Sequence, residues 1–335
     1  MTDSRPDRHG CTVVAIGGNS LNRSSQKGRG NLDTHDVARE ICEEIAVLAE
    51  TRGSVVVTHG NGPQVGFELL RNAAASDIVP PDGMDVNVAA TQGYIGYYLQ
   101  QVLGDVLEER GKDIPVASLV TQITVDPDDP GFESPTKPVG PFYTEQEARR
   151  MAEEDGWEMR EDAGRGWRRV VPSPRPVKIL ELPCVEALVD AGQIVICAGG
   201  GGVPVVRDGY KVRGVAAVID KDRASSLLAS QLGADTFVIS TAVPRVCLNF
   251  GRPDERPLDR MGLEELDRYV EEGHFAPGSM LPKIEAARRF LEGGGTRVII
   301  TSPGNVIKAM EGRAGTTITA SSPLKGDGGN LTQNR

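Results

Sequence analysis

Residues 11–19, CTVVAIGGN, and 54–66, SVVVTHGNGPQVG, decide the fold. Each opens as a β-branched apolar run, at 11–16 and 54–58, and each run breaks on glycine: Gly17-Gly18-Asn19 in the first, Gly60-Asn61-Gly62 in the second. Between them Val37, Ile41, Ile45 and Leu48 recur at helical spacing, and Gly53 supplies a C-terminal stop. Strand, glycine turn, helix and strand make the unit of a mainly parallel α/β sheet, because parallel neighbours need a crossover long enough to hold a helix. Outward from this unit the alternation predicts a helix over about 91–110 and strands at 115–121, 193–198, 215–219, 236–240 and 297–301. Two further helices open near Asp222 and Lys283.

One stretch breaks the alternation. Residues 126–175 are rich in Pro, Gly and charge, contain both tryptophans, and read as an inserted excursion with its own small structure. The tail 321–335, SPLKGDGGNLTQNR after Ser321, reads as disordered.

The 335 residues carry 39% hydrophobic and 25% charged side chains, an ordinary globular balance. No apolar run reaches the ~18 residues of a membrane helix, so no membrane partner is expected. The opening MTDSRPDRHG has no apolar core of a secretory signal, and a cytoplasmic location is the expectation. Cys11, Cys42, Cys184, Cys197 and Cys247 are far apart with no C-x-x-C pair, which suits buried reduced thiols better than disulfides or zinc. The four histidines lack metal-ligand spacing. A net charge of −10 argues against nucleic acid, so an anionic substrate would need a local basic site. Only nine of the 37 basic residues are lysines. Lysines in Gly/Pro-rich loops therefore stand out: Lys137, Lys221 and Lys283.

Glycine lets backbone N–H groups converge on an oxyanion, and a following helix adds its dipole. Taken singly, the turns at 17–19, 60–62 and 199–202 read equally as tight turns after buried strands. Neither of the first two matches a P-loop or a Rossmann fingerprint. In VIDKDRASSLLA (218–229), Asp222 occupies an expected N-cap, and Lys221 between two acids suits a phosphate ligand. Lys283 opens a helix, where a cation opposes the dipole unless an anion is present. Lys137, between prolines, reads equally as an exposed loop lysine.

In combination these segments resemble the carbamate kinase family. The resemblance is carried by GGN (17–19), THGNGPQVG (58–66), TQGYIGY (91–97), PTKPVGPFY (135–143) and RRVVPSP (168–174). It continues through GGGGVPV (199–205), AVIDKD (217–222), NFG (249–251) and GHFAPGSMLPK (273–283). It implies an open αβα sandwich around a mostly parallel sheet. The implied division is an acceptor lobe at 11–214 with a protruding subdomain at about 126–175, and a nucleotide lobe at 215–320. It also implies a homodimer and reversible phosphoryl transfer between ATP and carbamate, run toward ATP synthesis in arginine or ureido-compound breakdown. Mg²⁺ would arrive with the nucleotide rather than on a protein metal site.

Residue by residue, the resemblance places Gly17, Gly18 and Asn19 at the transferred phosphoryl group and Gly60, Asn61 and Gly62 at carbamate. Lys221 and Lys283 fall on the phosphates, Asp222 positions them, and Lys137 reaches the acceptor. Thr241, Ala242, Val243, Asn249, Gly278, Ser279 and Met280 fall at the nucleotide. The chain departs from the family pattern at Ser20, where Ala is usual, at Leu281, where Gly is usual, and at Ala216, where Glu is common, and none of these removes a charged group assigned to catalysis. A kinase for a larger carboxylate, such as acetylglutamate, and a non-catalytic nucleotide sensor of the same fold are the alternatives. Carbamate itself arrives ionised, so the reaction needs no general base, consistent with lysines and glycine amides but no His–carboxylate pair.

Overall fold

The computed structural model describes residues 10–18, 32–162 and 164–321, with side chains of the first helix from Ala38 onward. Asn19, Ser20 and residues 322–335 of the expected tail lie outside them. The chain begins with β1 (Thr12–Ile16), α1 (Leu32–Arg52), β2 (Val55–His59), α2 (Gly62–Ala75), α3 (Met84–Glu109), β3 (Val116–Ser118) and β4 (Gln122–Val125). Next come β5 (Lys137–Tyr143), α4 (Glu145–Glu154), β6 (Met159–Glu161) and β7 (Trp167–Val171). They are followed by β8 (Pro176–Ile179), α5 (Leu182–Asp190), β9 (Ile194–Ile196), β10 (Val203–Asp208) and β11 (Lys211–Gly214). Then follow α6 (Lys221–Leu232), β12 (Thr236–Ser240), β13 (Cys247–Leu248), β14 (Arg256–Pro257) and β15 (Arg260–Gly262). The last elements are α7 (Leu263–Glu271), α8 (Leu281–Glu292), β16 (Arg297–Thr301), α9 (Val306–Met310) and β17 (Thr316–Thr319).

An eight-stranded sheet in the order β15-β17-β16-β12-β1-β2-β9-β3 forms the spine. From β16 to β3 all neighbours are parallel, while β17 runs antiparallel to β16. The strands read as continuous apolar runs because both faces are covered. Val14, Ile16, Val57 and Val238 pack with Ile41, Ile45 and Leu48 of α1 and Leu99 and Leu103 of α3. Val13, Ala15, Phe237 and Ile239 pack on the other face with Leu228 of α6 and Ile284 and Phe290 of α8. This is the expected open αβα sandwich.

Residues 126–175 leave β4 and return at β8, two antiparallel neighbours in a second sheet ordered β11-β10-β4-β8. The excursion holds the three-stranded sheet β5-β7-β6 and α4, whose Thr144–Glu147 capping box fixes the helix start. It docks through its own apolar cluster: Val139 and Val171 pack with Val65 of α2, Val88 of α3, Val203, Val205 and Val218.

Four local expectations are corrected. Residues 215–219 form no strand: Val215 N–H donates to Pro204 O and Val218 N–H to Pro172 O, two bonds to different segments instead of a ladder. The run is apolar because Ala217, Val218 and Ile219 are buried, which also makes a core strand apolar. The helix expected from about 91 begins at Met84, where Gly83 occupies the N-cap with no side chain to signal the start. Lys137 opens strand β5 rather than sitting on a loop. Cys11, Cys42 and Cys197 are buried as expected, but Cys184 is exposed and Cys247 half-buried.

Candidate active site

Four neighbouring parallel strands, β12, β1, β2 and β9, end on the same edge of the sheet. In open α/β sheets ligands bind beyond the carboxyl ends of the strands, and here those ends are Thr241–Val243, Gly17-Gly18, Gly60-Asn61-Gly62 and the Gly199 turn. The ladder runs right up to the loops, with Gly60 N–H donating to Ile16 O at 2.9 Å and Gly17 N–H to Ser240 O at 3.1 Å. The first two glycine loops touch: a Cβ on Gly60 would lie 2.7 Å from Gly18 N. No larger residue fits at that crossing. Together these loops wall a cavity of about 570 Å³, which also takes in Lys137, Asp220, Lys221, Asp222 and Lys283.

The charged floor is built by two helix starts. Asp220, rather than Asp222, is the N-cap of α6: its Oδ1 accepts from Asp222 N–H at 2.9 Å and Arg223 N–H at 3.2 Å. Its other oxygen accepts from Lys137 Nζ. Capping by Asp220 leaves the side chain of Asp222 free to turn inward between two ammoniums. Lys221 Nζ lies 3.0 Å from Asp222 Oδ1, and Lys283 Nζ lies 2.9 Å from Asp222 Oδ2. Lys283 also donates to Ser279 O at 3.4 Å. The unfavourable position of a cation in the first turn of α8 is thus offset within the protein itself by a carboxylate from α6.

Burial pushes the Asp222 carboxyl up, but Lys221 and Lys283 outweigh it and hold the group well below the usual carboxylate range. Asp220 is likewise held low against its burial, by Lys137 above all. Burial lowers Lys221, with Asp222 opposing and Lys283 reinforcing the shift. Burial also pulls Lys283 down, and Asp222 more than restores it, so its pKa is raised. Lys221 Nζ is buried, and its 3.0 Å contact with Asp222 Oδ1 is an ion pair poorly aligned as a hydrogen bond. An ammonium has three donors, so this one can still donate to an anion in the cavity.

The same cavity is lined by Thr241, Ala242, Val243, Gly278, Ser279 and Met280. Asn249 is not among its lining residues. Its Oδ1 bonds His274 Nδ1 at 2.8 Å and its Nδ2 donates to Asp254 Oδ2 at 2.6 Å, so it fixes the loop whose next residue, Phe250, lines the cavity.

Against known proteins, the amino acid kinase family matches residues 10–302. The chain belongs to the amino acid kinase family. Within it, the chain is 47% identical to the carbamate kinase of Thermococcus kodakarensis over 308 residues, covering 91% of this chain and 98% of that one. It is 49% identical to the carbamate kinase-like protein YqeA of Escherichia coli over 312 residues, 91% and 98% of the two chains. The fold superposes on the Giardia lamblia carbamate kinase bound to AMP-PNP with a TM-score of 0.82 at 43% identity, over 94% of this chain and 99% of that chain. Its reaction is that of a carbamate kinase, phosphoryl transfer with a carboxyl-group acceptor.

This amino acid kinase site includes groups that sequence reasoning did not single out. Asp162, Arg165 and Arg168 of the excursion line the cavity. Arg168 donates to Gly140 O at 2.8 and 3.1 Å and to Asp162 at 3.3 Å, while both arginines lie over the Phe142 ring. Arg168 opens the RRVVPSP segment that carries part of the resemblance, but in an arginine-rich chain residue type alone does not single out it or Arg165. Asp220 was legible as one acid of a D-K-D set, but its dual bond to a helix start and to Lys137 was not.

Proposed function

We propose that the cavity holds the nucleotide and carbamate end to end, with the γ-phosphoryl group over Gly17, Gly18 and Lys221. The adenine end lies toward Thr241, Ala242 and Val243, and the phosphates run past Gly278, Ser279 and Met280 to Lys283. The AMP-PNP-bound Giardia enzyme supports this nucleotide reading. Carbamate sits against Gly60, Asn61 and Gly62, with Lys137 above it. Its ionised oxygen attacks the γ-phosphorus: one O–P bond forms, the bond to the β-phosphate oxygen breaks, and the electron pair leaves on ADP. No proton is removed, so the residues have only to position and neutralise. Asp222 keeps Lys221 and Lys283 on either side of the transferred group, and the glycine amides add donors that gain strength as charge develops. The observation that carries this reading is the buried Lys221 ammonium, paired only with poor alignment to Asp222, in a cavity lined by two glycine loops.

Mg²⁺ fits as the nucleotide's counter-ion. Among the described residues no group of three His, Cys, Asp or Glu could hold a metal, and Asp220 and Asp222 are both engaged by ammoniums. An ion held by phosphate oxygens and water needs no more from the protein, and it supplies further neutralisation of the phosphates. The lobes proposed for acceptor and nucleotide, 11–214 and 215–320, meet along the β1–β12 pair. A homodimer is supported by exposed Val86 and Tyr97 on α3 and Val120 beside the edge strand β3. Cytoplasmic residence is supported by five cysteines joined by no disulfide. The proposed direction is ATP synthesis in arginine or ureido-compound breakdown, as the family resemblance implies.

The test is a coupled assay of ATP formation from ADP, Mg²⁺ and carbamoyl phosphate. Robust turnover is expected, and phosphorylation of acetylglutamate but not carbamate would replace this reading.

A further inference from the structure

The TQGYIGY segment on α3 has no part in the reaction as described so far, yet its first two residues reach the acceptor loops. Asn61 Nδ2 donates to Thr91 Oγ1 at 2.8 Å, and Thr91 Oγ1 donates its own proton to Val88 O at 2.7 Å. Both side chains are buried. The carbonyl of Val88 can only accept, so the threonine proton is committed there and Thr91 can offer Asn61 only a lone pair. The Asn61 amide must therefore turn its NH₂ to Thr91. Its Oδ1 is left at the cavity wall, with no bonded donor among the described residues.

The amide is also held in plane. A Cβ on Gly200 would lie 2.2 to 2.5 Å from its Nδ2, Cγ and Oδ1, so the Gly200 backbone presses directly on it. The neighbouring residue Gln92 braces that turn. Gln92 exchanges bonds of 3.1 and 3.0 Å with the backbone of Thr121, whose Oγ1 accepts from Ala198 N–H at 3.0 Å.

We infer that Thr91 is a positioning residue that fixes Asn61 Oδ1 as the acceptor reading the amino group of carbamate, and so selects an acceptor with an N–H donor. This rests on the proposed placement of carbamate at Asn61. The two oxygens of carbamate only accept, whereas its nitrogen only donates because its lone pair is delocalised into the carboxylate. With one oxygen facing Lys221 and Gly18, the amino group needs an acceptor, and the carboxylates of Asp220 and Asp222 are already held by lysines. Acetate has the same shape with a methyl group in place of NH₂, and it would leave Oδ1 desolvated and unpaired.

The experiment compares kcat/KM for ATP formation from ADP with carbamoyl phosphate and with acetyl phosphate. The unaltered chain should prefer carbamoyl phosphate. Thr91→Val frees the Asn61 amide to turn, and should narrow the ratio about tenfold through the KM for carbamoyl phosphate, with acetyl phosphate use within about twofold. Thr91→Ser should restore the ratio. Equal losses on both donors in Thr91→Val, the pattern of a merely structural role, would overturn the inference. Should Thr91→Val not fold, Asn61→Ala reads the same ratio, and a ratio unchanged there overturns it equally. An unaltered chain that makes no ATP from carbamoyl phosphate overturns the proposed placement and this inference together; an unchanged ratio in the variants overturns this inference alone.

Discussion

An ammonium buried beside one carboxylate and a second ammonium, as Lys221 is, costs folding free energy until an anion completes its surroundings. Lys221→Ala and Lys283→Ala should therefore each lower kcat by about 10²–10³-fold, the loss seen when a charge-stabilising donor is removed from a transition state. Lys137→Ala should act mainly on the KM for carbamate, because its ammonium is carried in by the excursion and held by Asp220. Steady-state kinetics on purified variants separate the two patterns, and wild-type turnover in Lys221→Ala would remove it from the reaction. His59, at the end of β2, offers a stability test. Burial, reinforced by nearby Lys221 and opposed by Gly60 O, lowers its pKa from 6.5 to about 4. Below pH 6.5 the unfolded chain takes up a proton at His59 that the folded chain refuses until about pH 4. Stability is thus lost as pH falls through that window, by up to about 3 kcal/mol. Urea midpoints at pH 7 and 4.5 should diverge in the unaltered chain and draw together in His59→Gln; equal divergence in both would refute the assignment. The depressed Asp222 adds its own loss only in more acid solution.

At the scale of elements, the excursion is pinned to the body of the protein by a glycine contact. Gly66 of α2 meets Gly140 of β5 so closely that a Cβ on Gly66 would lie 1.9 Å from Gly140 Cα. Gly140 itself has φ +76°, at the irregularity in the β5–β7 pairing, and its carbonyl is held by Arg168. Gly66→Ala should push β5 away from α2 and displace Lys137 with it. The expected result is a loss of activity near 10²-fold with the far-ultraviolet circular dichroism unchanged, since a shift of ~1 Å at a positioned group costs about that much. Activity within twofold of the unaltered chain would show that the contact is slack. Much of this scale was legible in the sequence: β1, β2, β12 and β16 announce themselves as apolar runs ending at Gly17, Gly60, Thr241 and Ser302. The 215–219 segment was misread because burial without a ladder selects the same side chains as burial within one. The α6 cap was misplaced by two residues because Asp220 and Asp222 are equally good capping residues on sequence, and only the arrival of Lys137 and Lys283 from elsewhere separates their roles.

For the molecule as a whole, a chain of net charge −10 gathers three lysines against two aspartates in one cavity, the local basic site that the proposed anionic substrates require. The site is incomplete without its ligand, so ADP with Mg²⁺ at about one hundred times its Kd should stabilise the fold by about 2.7 kcal/mol, a rise in Tm of roughly 5 °C. On the proposed reading, in which the ion arrives with the nucleotide, EDTA should abolish both this shift and turnover while leaving the Tm of the ligand-free chain unaltered. A fall in the ligand-free Tm on chelation would point instead to a structural metal. The alternation of apolar runs with glycine turns determined the parallel sheet, since hydrophobic period and turn chemistry are local properties of the chain, while the family resemblance was carried by the ordered motifs from GGN at 17–19 to GHFAPGSMLPK at 273–283. It also marked the three lysines, which stand out by residue type and loop setting. Only the tertiary structure decided which acid caps and which acid bridges, that Lys137 is held by Asp220, and that Thr91 leaves Asn61 one orientation. Those outcomes depend on hydrogen bonds and ion pairs between residues 30 to 83 positions apart, and such pairings exist only once the sheet has brought its loops to one edge.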